Sequence, residues 1–182
     1  MGVILEIIQV AGFSNSGKTT LIENIVKSLK ELNKSVSVIK HHGHENRLVA
    51  LDAGKDSAKF RDAGATGTTV VAGNTIQMHF DQEKSWSVSD ALRFQQFLNI
   101  DVVIIEGFKQ EPFPKVVIVR REEDVQLLQQ LKNIQVIIVW NNIKLQGNFG
   151  VPIFVIDEFD EFFEWLMNNW LEINRNKKEV EE

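Results

Sequence analysis

The sequence contains no cysteine. Disulfides, iron–sulfur clusters and thiolate zinc sites are therefore excluded. With no thiol chemistry pointing to an oxidising compartment, the expected location is cytoplasmic. Long apolar runs are missing too: no stretch reaches the roughly 18 residues that would span a bilayer, so no membrane role is expected. Residues 1–10 are apolar but include Glu6 and lack both a basic leader and a small-residue cleavage site, so they read as a buried strand. Nor is there an excess of positive charge. Lys and Arg number 20 against 25 Asp and Glu, a formal net charge of −5. A nucleic-acid binder needs a basic field to track phosphates, and that class is disfavoured. Any anion site must be local.

What is present is an ordinary globular balance, 43% hydrophobic and 25% charged over 182 residues. That length suits one domain with a sizeable core and is too short for two full ones. A single domain over residues 1–171 is expected, followed by a charged tail over 172–182. Strand and helix signals alternate along the chain. Residues 3–10 are a β-branched apolar run, and Leu21, Ile22, Ile25, Val26, Leu29 and Leu32 recur at helical spacing. Residues 35–39 read as a short strand. Residues 68–72 and 75–80 flank Gly73-Asn74, the signature of a two-residue hairpin. Such a ribbon is marginal alone and must pack on its own sheet or on another subunit. Residues 89–98 read as a helix with a Ser-Asp start. Residues 101–105, 115–119, 134–140 and 153–156 are further strands, several of them apolar throughout. An amphipathic stretch covers 122–131. A last helix over 158–171 presents Phe159, Phe162, Phe163, Trp165, Leu166 and Trp170, a pattern expected of core. Continuous apolar strands alternating with helices mean a mostly parallel sheet with helices on both faces. The fold class is α/β, of the P-loop NTPase type, with a β-hairpin extension.

The chemistry lies in the loop after the first strand. Gly12-Phe13-Ser14-Asn15-Ser16-Gly17-Lys18-Thr19, followed by Thr20, satisfies G-x-x-x-x-G-K-[ST] at every fixed position. At average residue frequencies a chain of this length matches by chance in roughly 0.6% of cases, so the pattern carries weight even before its strand–helix context is added. Glycines let consecutive backbone N–H groups turn inward around a phosphate, and the helix N-terminus adds its positive end. Lys18 would reach the β- and γ-phosphate oxygens, and the Thr19 hydroxyl would complete the coordination of Mg²⁺. A second metal-side group is expected at the end of a neighbouring strand. Glu106 stands there, after Val102-Val103-Ile104-Ile105, with Gly107 permitting close backbone approach. Asp101 opens that strand at the opposite sheet edge and is expected to be structural.

After the second strand come Lys40-His41-His42-Gly43-His44, then Asp52, Lys55-Asp56-Ser57, Lys59 and Arg61. These cations form a local cluster in an acidic chain. Recognition of an anionic ligand is one reading, with Asp52 supporting a magnesium shell, and a solvated loop is the other. Three histidines within four positions could instead hold a transition metal. Base recognition would fall after residues 134–139, where Asn141 or Asn142 could pair with a base edge and Trp140 or Lys144 could cover its face.

The phosphate-loop start, Ile39-Lys40-His41 with His44, Gly54-Lys55-Asp56-Ser57 with Arg61, Ala63-Gly64-Ala65, and Val103-Ile104-Ile105-Glu106-Gly107-Phe108-Lys109 together resemble the MobB family. The resemblance runs over roughly residues 3–157. It implies a dimeric GTP-binding adaptor, slow in Mg²⁺-dependent GTP hydrolysis, which assists the guanylyltransferase attaching GMP to the molybdopterin cofactor. It would place Gly12, Ser14, Asn15, Ser16, Gly17, Lys18, Thr19 and Thr20 on the nucleotide phosphates and Mg²⁺. Lys40, His41, Lys55, Asp56 and Arg61 would line the same cleft, and Glu106 would stand at the metal. No residue is assigned to catalysis. Two other readings stand beside it: a small-molecule kinase whose cationic cluster binds the acceptor, and a nickel-handling GTPase using His41, His42 and His44. A kinase lid would need arginines, and Arg120-Arg121 is the only arginine pair, with no glycine hinges around it.

Overall fold

Six apolar runs form one parallel sheet. The computed structural model describes residues 6–43 and 48–176, with side chains through residue 169. Residues 3–5 of the expected first strand, His44, the Trp170 side chain and residues 177–182 lie outside what is described. The strands are β1 (Glu6–Ala11), β2 (Val36–Lys40), β5 (Val102–Glu106), β6 (Lys115–Val119), β7 (Ile134–Val139) and β8 (Ile153–Val155), in the order β2-β5-β1-β6-β7-β8. β3 (Gly67–Ala72) and β4 (Thr75–Phe80) make a separate antiparallel ribbon, registered from Gly67 opposite Phe80 to Ala72 opposite Thr75. Gly73 closes it with φ 55°, a left-handed value that costs glycine little.

Every residue of β5 and β6 is buried, as strands covered on both faces require. One face takes α1 (Lys18–Glu31) and α5 (Phe159–Asn176). Leu21, Ile22, Ile25 and Leu29 of α1, with Phe162 and Leu166 of α5, join Ile8, Val10, Ile104, Ile118 and Ile138 in a single core. Ile25 is fully enclosed there, and truncating such a side chain to alanine costs about 2–5 kcal/mol. On the opposite face Leu127 and Leu131 cover Ala11 and Val117, while Ile143 covers Val119 and Val139.

The strand order reverses at β1, with β5 and β2 on one side and β6, β7 and β8 on the other. Ligands of open α/β sheets bind outside the carboxyl ends of the strands at such a reversal. The loop from Ala11 to Lys18 begins there.

The chain divides into two compact units, Met1–His41 with Ala91–Glu182, and His42–Asp90. The second contains α2 (Asp56–Asp62), the ribbon and the start of α3 (Val88–Gln95). Three expected elements differ in detail. The cap of α3 is Ser87 and not Ser89: Ser87 Oγ accepts from Asp90 N–H at 3.1 Å, and the Asp90 carboxylate accepts from Ser87 N–H at 3.1 Å. That reciprocal pair fixes the first turn two residues early. The stretch 122–131 is a 3₁₀ turn, Glu122–Gln126, leading into the single turn α4 (Leu127–Gln130). The buried Asp124 carboxylate draws that turn tight by accepting from the N–H groups of Arg120 and Arg121, both at 3.0 Å. Finally, α5 continues beyond residue 171 to Asn176. No helix among the described residues is long and apolar enough to cross a membrane.

Candidate nucleotide-binding site

The loop between β1 and α1 turns sharply because two of its residues have left-handed backbone, Asn15 with φ 59° and Gly17 with φ 102°. At Gly12 the constraint is space. A Cβ there would stand 2.5 Å from Ser16 Oγ and 3.2 Å from the Ile118 carbonyl. Gly17 caps α1, so the free N–H groups of the first turn open onto the loop. Lys18 Nζ curls back over it, donating to the carbonyls of Phe13 at 2.7 Å and Gly12 at 3.2 Å. Burial lowers the Lys18 pKa, the ammonium groups of Lys109 and Lys40 lower it further, and the Glu106 carboxylate partly offsets them. Ser16 Oγ is buried and makes no hydrogen bond among the described residues. Ser14, Thr19 and Thr20 are exposed at the loop and the first helical turn.

Glu106 ends β5 beside this loop, in register with Val10 on one side and Lys40 on the other. Its carboxylate is nearly enclosed and pairs with Lys40 Nζ at 3.2 Å. Gly107 follows with φ 88° and Phe108 with φ 49°. That tight turn is held from below by a residue the sequence pattern did not single out. Gln9, fully buried in β1, donates from Nε2 to the carbonyls of Gly107 and Phe108, both at 2.7 Å. An amide in the middle of an apolar strand was the only local signal. His41 lies against the same turn, its ring centre 4.5 Å from that of Phe108, and a Cβ on Gly107 would stand 3.0 Å from His41 Cβ. Lys109 then places its ammonium 4.2 Å from the centre of the Phe13 ring. Lys18, Lys40 and Lys109 thus raise the positive field around the loop, against the single carboxylate of Glu106.

Asp52, Lys55, Asp56 and Arg61 belong to the second unit. There the Arg61 guanidinium grips the Asp52 carboxylate at 2.5 and 2.8 Å and the Thr68 hydroxyl at 2.5 Å, and Ser57 Oγ donates to Asp52 at 2.5 Å. Asp52 is held far below the usual carboxylate range, chiefly by the Arg61 hydrogen bonds and then by Ser57. This cluster joins the α2 segment to β3. Asp56 pairs with Lys59 at 2.9 Å on the exposed side of α2, and Lys55 precedes the helix. Among the described residues no three His, Asp or Glu side chains are placed to hold a metal ion, so His41 and His42 form no such cluster. Asp101 sits at the other sheet edge, accepting from the Ser35 N–H and Oγ at 2.7 Å each.

At the loop after β7, Trp140 turns its indole towards Gly17, and Nε1–H donates to the Ser16 carbonyl at 2.9 Å. Asn141 Nδ2 donates to the Asp157 carboxylate at 2.5 Å, joining the loops that follow β7 and β8.

A family model described as molybdopterin guanine dinucleotide synthesis protein B matches residues 7–141. The chain belongs to the MobB family. The MobB match takes in both the phosphate loop and the Glu106 strand. A Bacillus subtilis (strain 168) relative named "Probable molybdopterin-guanine dinucleotide biosynthesis adapter protein" is 38% identical over 152 residues, 84% of this chain and 86% of its own length. The crystal structure of a MobB homologue from Bacillus stearothermophilus superposes with a TM-score of 0.75 at 34% identity, covering 92% of this chain and 99% of that one. The Bacillus subtilis MobB crystal structure gives the same TM-score and identity, over 90% of this chain and 97% of its own.

Proposed function

We propose that this chain is a nucleotide-dependent adapter in molybdopterin guanine dinucleotide biosynthesis, holding GTP with Mg²⁺ in the loop from Gly12 to Thr20. The observation that carries the nucleotide reading is the Lys18 ammonium held over its own loop at 2.7 and 3.2 Å from two carbonyls, among left-handed turns that expose backbone N–H groups. A phosphate would exchange those carbonyls for charge-assisted bonds.

The donor set suits magnesium. A threonine hydroxyl and a carboxylate are hard oxygen ligands, and Mg²⁺ takes few protein groups and keeps several waters. Thr19 and Glu106 would hold it, and when bound it would neutralise charge on the β- and γ-phosphates. The protein's own part is positional: Lys18 binds the phosphates, Lys40 and Lys109 add positive field, and Gln9 fixes the turn that carries Lys109. None of these is placed as a general base for an attacking water, which is consistent with slow hydrolysis.

For guanine, the carboxylate that would serve is Asp157, which accepts from Asn141 Nδ2 at 2.5 Å where the loops after β7 and β8 meet. A carboxylate accepts from the adjacent N1–H and N2–H₂ donors of guanine, whereas adenine presents an acceptor at N1. The pathway role supplies the partners: the molybdopterin guanylyltransferase and the molybdopterin cofactor itself, in the cytoplasm. A homodimer is supported by the ribbon, on which Val71, Ile76 and Met78 are 70%, 52% and 50% exposed, more apolar surface than a lone hairpin usually leaves to water. Titrating GTP, GDP and ATP with and without Mg²⁺ tests the reading. Mg²⁺-dependent binding with guanine preference is expected, and no binding of any nucleotide would refute it.

A further inference from the structure

Two side chains from outside the phosphate-loop sequence are bonded to its backbone. Arg120 immediately follows β6, the strand beside β1, and Trp140 immediately follows β7. The Arg120 guanidinium donates to the Asn15 carbonyl. Trp140 Nε1–H donates to the next carbonyl, Ser16, at 2.9 Å. The two side chains also support each other, with the guanidinium carbon 4.5 Å from the centre of the indole. Each is fixed in turn by its own strand end. Asp124 holds the Arg120 backbone, and the Trp140 N–H donates to the Val119 carbonyl at 3.1 Å.

The geometry of a trans peptide gives this pair a function. C=O and N–H point in opposite directions across the plane, so holding one aims the other. The Asn15 carbonyl shares its plane with the Ser16 N–H, and the Ser16 carbonyl shares its plane with the Gly17 N–H. Two successive planes are therefore gripped by their oxygens from the strand side, across a segment whose left-handed angles at Asn15 and Gly17 need outside support. Successive N–H groups aimed alike are what an anion nest requires.

We propose that Arg120 and Trp140 are positioning residues for the nucleotide diphosphate: they fix two peptide planes so that the Gly17 N–H is preset for the β-phosphate. The Ser16 N–H, which donates to the Phe13 carbonyl at a long 3.3 Å, is held where a phosphate oxygen would replace that carbonyl. The inference rests on the nucleotide reading above. It also reassigns Trp140, whose hydrogen-bond donor and one ring face are already committed, from covering the base to bracing the loop.

The test is the affinity of the full chain for GDP and for GMP, which lacks the β-phosphate, in Trp140→Phe, Arg120→Ala and Arg120→Lys. Trp140→Phe keeps the ring and removes only the donor. One lost hydrogen bond corresponds to roughly a 3- to 10-fold change in Kd. GDP affinity should fall by about that factor in Trp140→Phe and Arg120→Ala, with partial recovery in Arg120→Lys and GMP affinity unchanged. In Trp140→Phe the ³¹P resonance of the bound β-phosphorus should move more than that of the α-phosphorus. A GDP affinity within twofold of wild type in both variants, or an equal loss for GMP as base stacking would give, overturns the inference. Wild-type protein that binds neither nucleotide instead refutes the nucleotide reading itself.

Discussion

The Lys40 ammonium lies 3.2 Å from Glu106 Oε2, joining the last residue of β2 to the last residue of β5 across a parallel register. The lysine side chain is 59% exposed and the carboxylate only 12%, so the anion is fixed and the cation is free to leave. A half-exposed pair of this kind is worth under about 1 kcal/mol. Lys40 is therefore a weak placeholder on the carboxylate that would face Mg²⁺.

Two substitutions separate these roles. Glu106→Gln should weaken the magnesium dependence of nucleotide binding and reduce hydrolysis more than affinity. Lys40→Met, by removing the competitor, should lower the half-saturating Mg²⁺ concentration a few-fold. Calorimetric titration at stepped Mg²⁺ measures both, and an unchanged response in Glu106→Gln would make that carboxylate a bystander.

Lys18→Ala removes a charge-assisted bond worth about 1.5–3 kcal/mol, so triphosphate affinity should fall at least tenfold. The nucleotide-free protein should melt no lower. Its partly buried ammonium has a lowered pKa, so the folded state binds fewer protons than the unfolded chain as pH approaches the ordinary lysine value of 10.5. Stability from this group accordingly rises with pH through that window. Phosphate binding reverses the shift, and GTP should take up protons there, measurable as a buffer-dependent binding enthalpy.

In the second unit stability again rises with pH, but there the shifted group stabilises the fold. Asp52 is depressed by Arg61 and Ser57, so its contribution is complete above the ordinary value of 3.8 and declines as pH falls below it. Asp52→Asn should raise the acid-unfolding midpoint of α2 and the ribbon, seen as lost hydrogen-exchange protection over residues 52–72. Equal protection in wild type and variant at pH 4–7 would remove the cluster from the account of this unit's stability.

The parallel sheet and phosphate loop were legible because their signals are local. A fixed glycine and lysine spacing, and strands apolar at every position, need no knowledge of neighbours. The Arg120–Asn15 bond spans 105 residues and exists only because β6 falls beside β1, which no stretch of sequence states. Arg61 shows the converse. Its charge marked it as an anion ligand, but the structure commits it to Asp52, a partner nine residues away on a folded-back segment.

Base choice can be read at Asp157. Wild-type protein should prefer GTP to ATP by tenfold or more, and Asp157→Asn should narrow that ratio, because the amide offers a donor where guanine also donates. Competition binding with both nucleotides gives the ratio directly. A ratio unmoved by the substitution would take the carboxylate out of base recognition.

As an adapter the protein gains nothing from rapid turnover, and its kcat for GTP should lie well below the enzyme median of about 10 s⁻¹. Single-turnover phosphate release measures it. Stoichiometric transfer of the γ-phosphoryl group to a small metabolite would instead favour a kinase.

Trp140 touches the loop that would hold the nucleotide, its ring edge 3.6 Å from where a Cβ on Gly17 would be. The chain has four tryptophans, and the other three are Trp86, Trp165 and Trp170. Replacing those with phenylalanine would leave one chromophore, positioned by a hydrogen bond and a guanidinium beside the phosphate loop. Its emission would then convert each opening or filling of that loop into an optical signal, with no label attached.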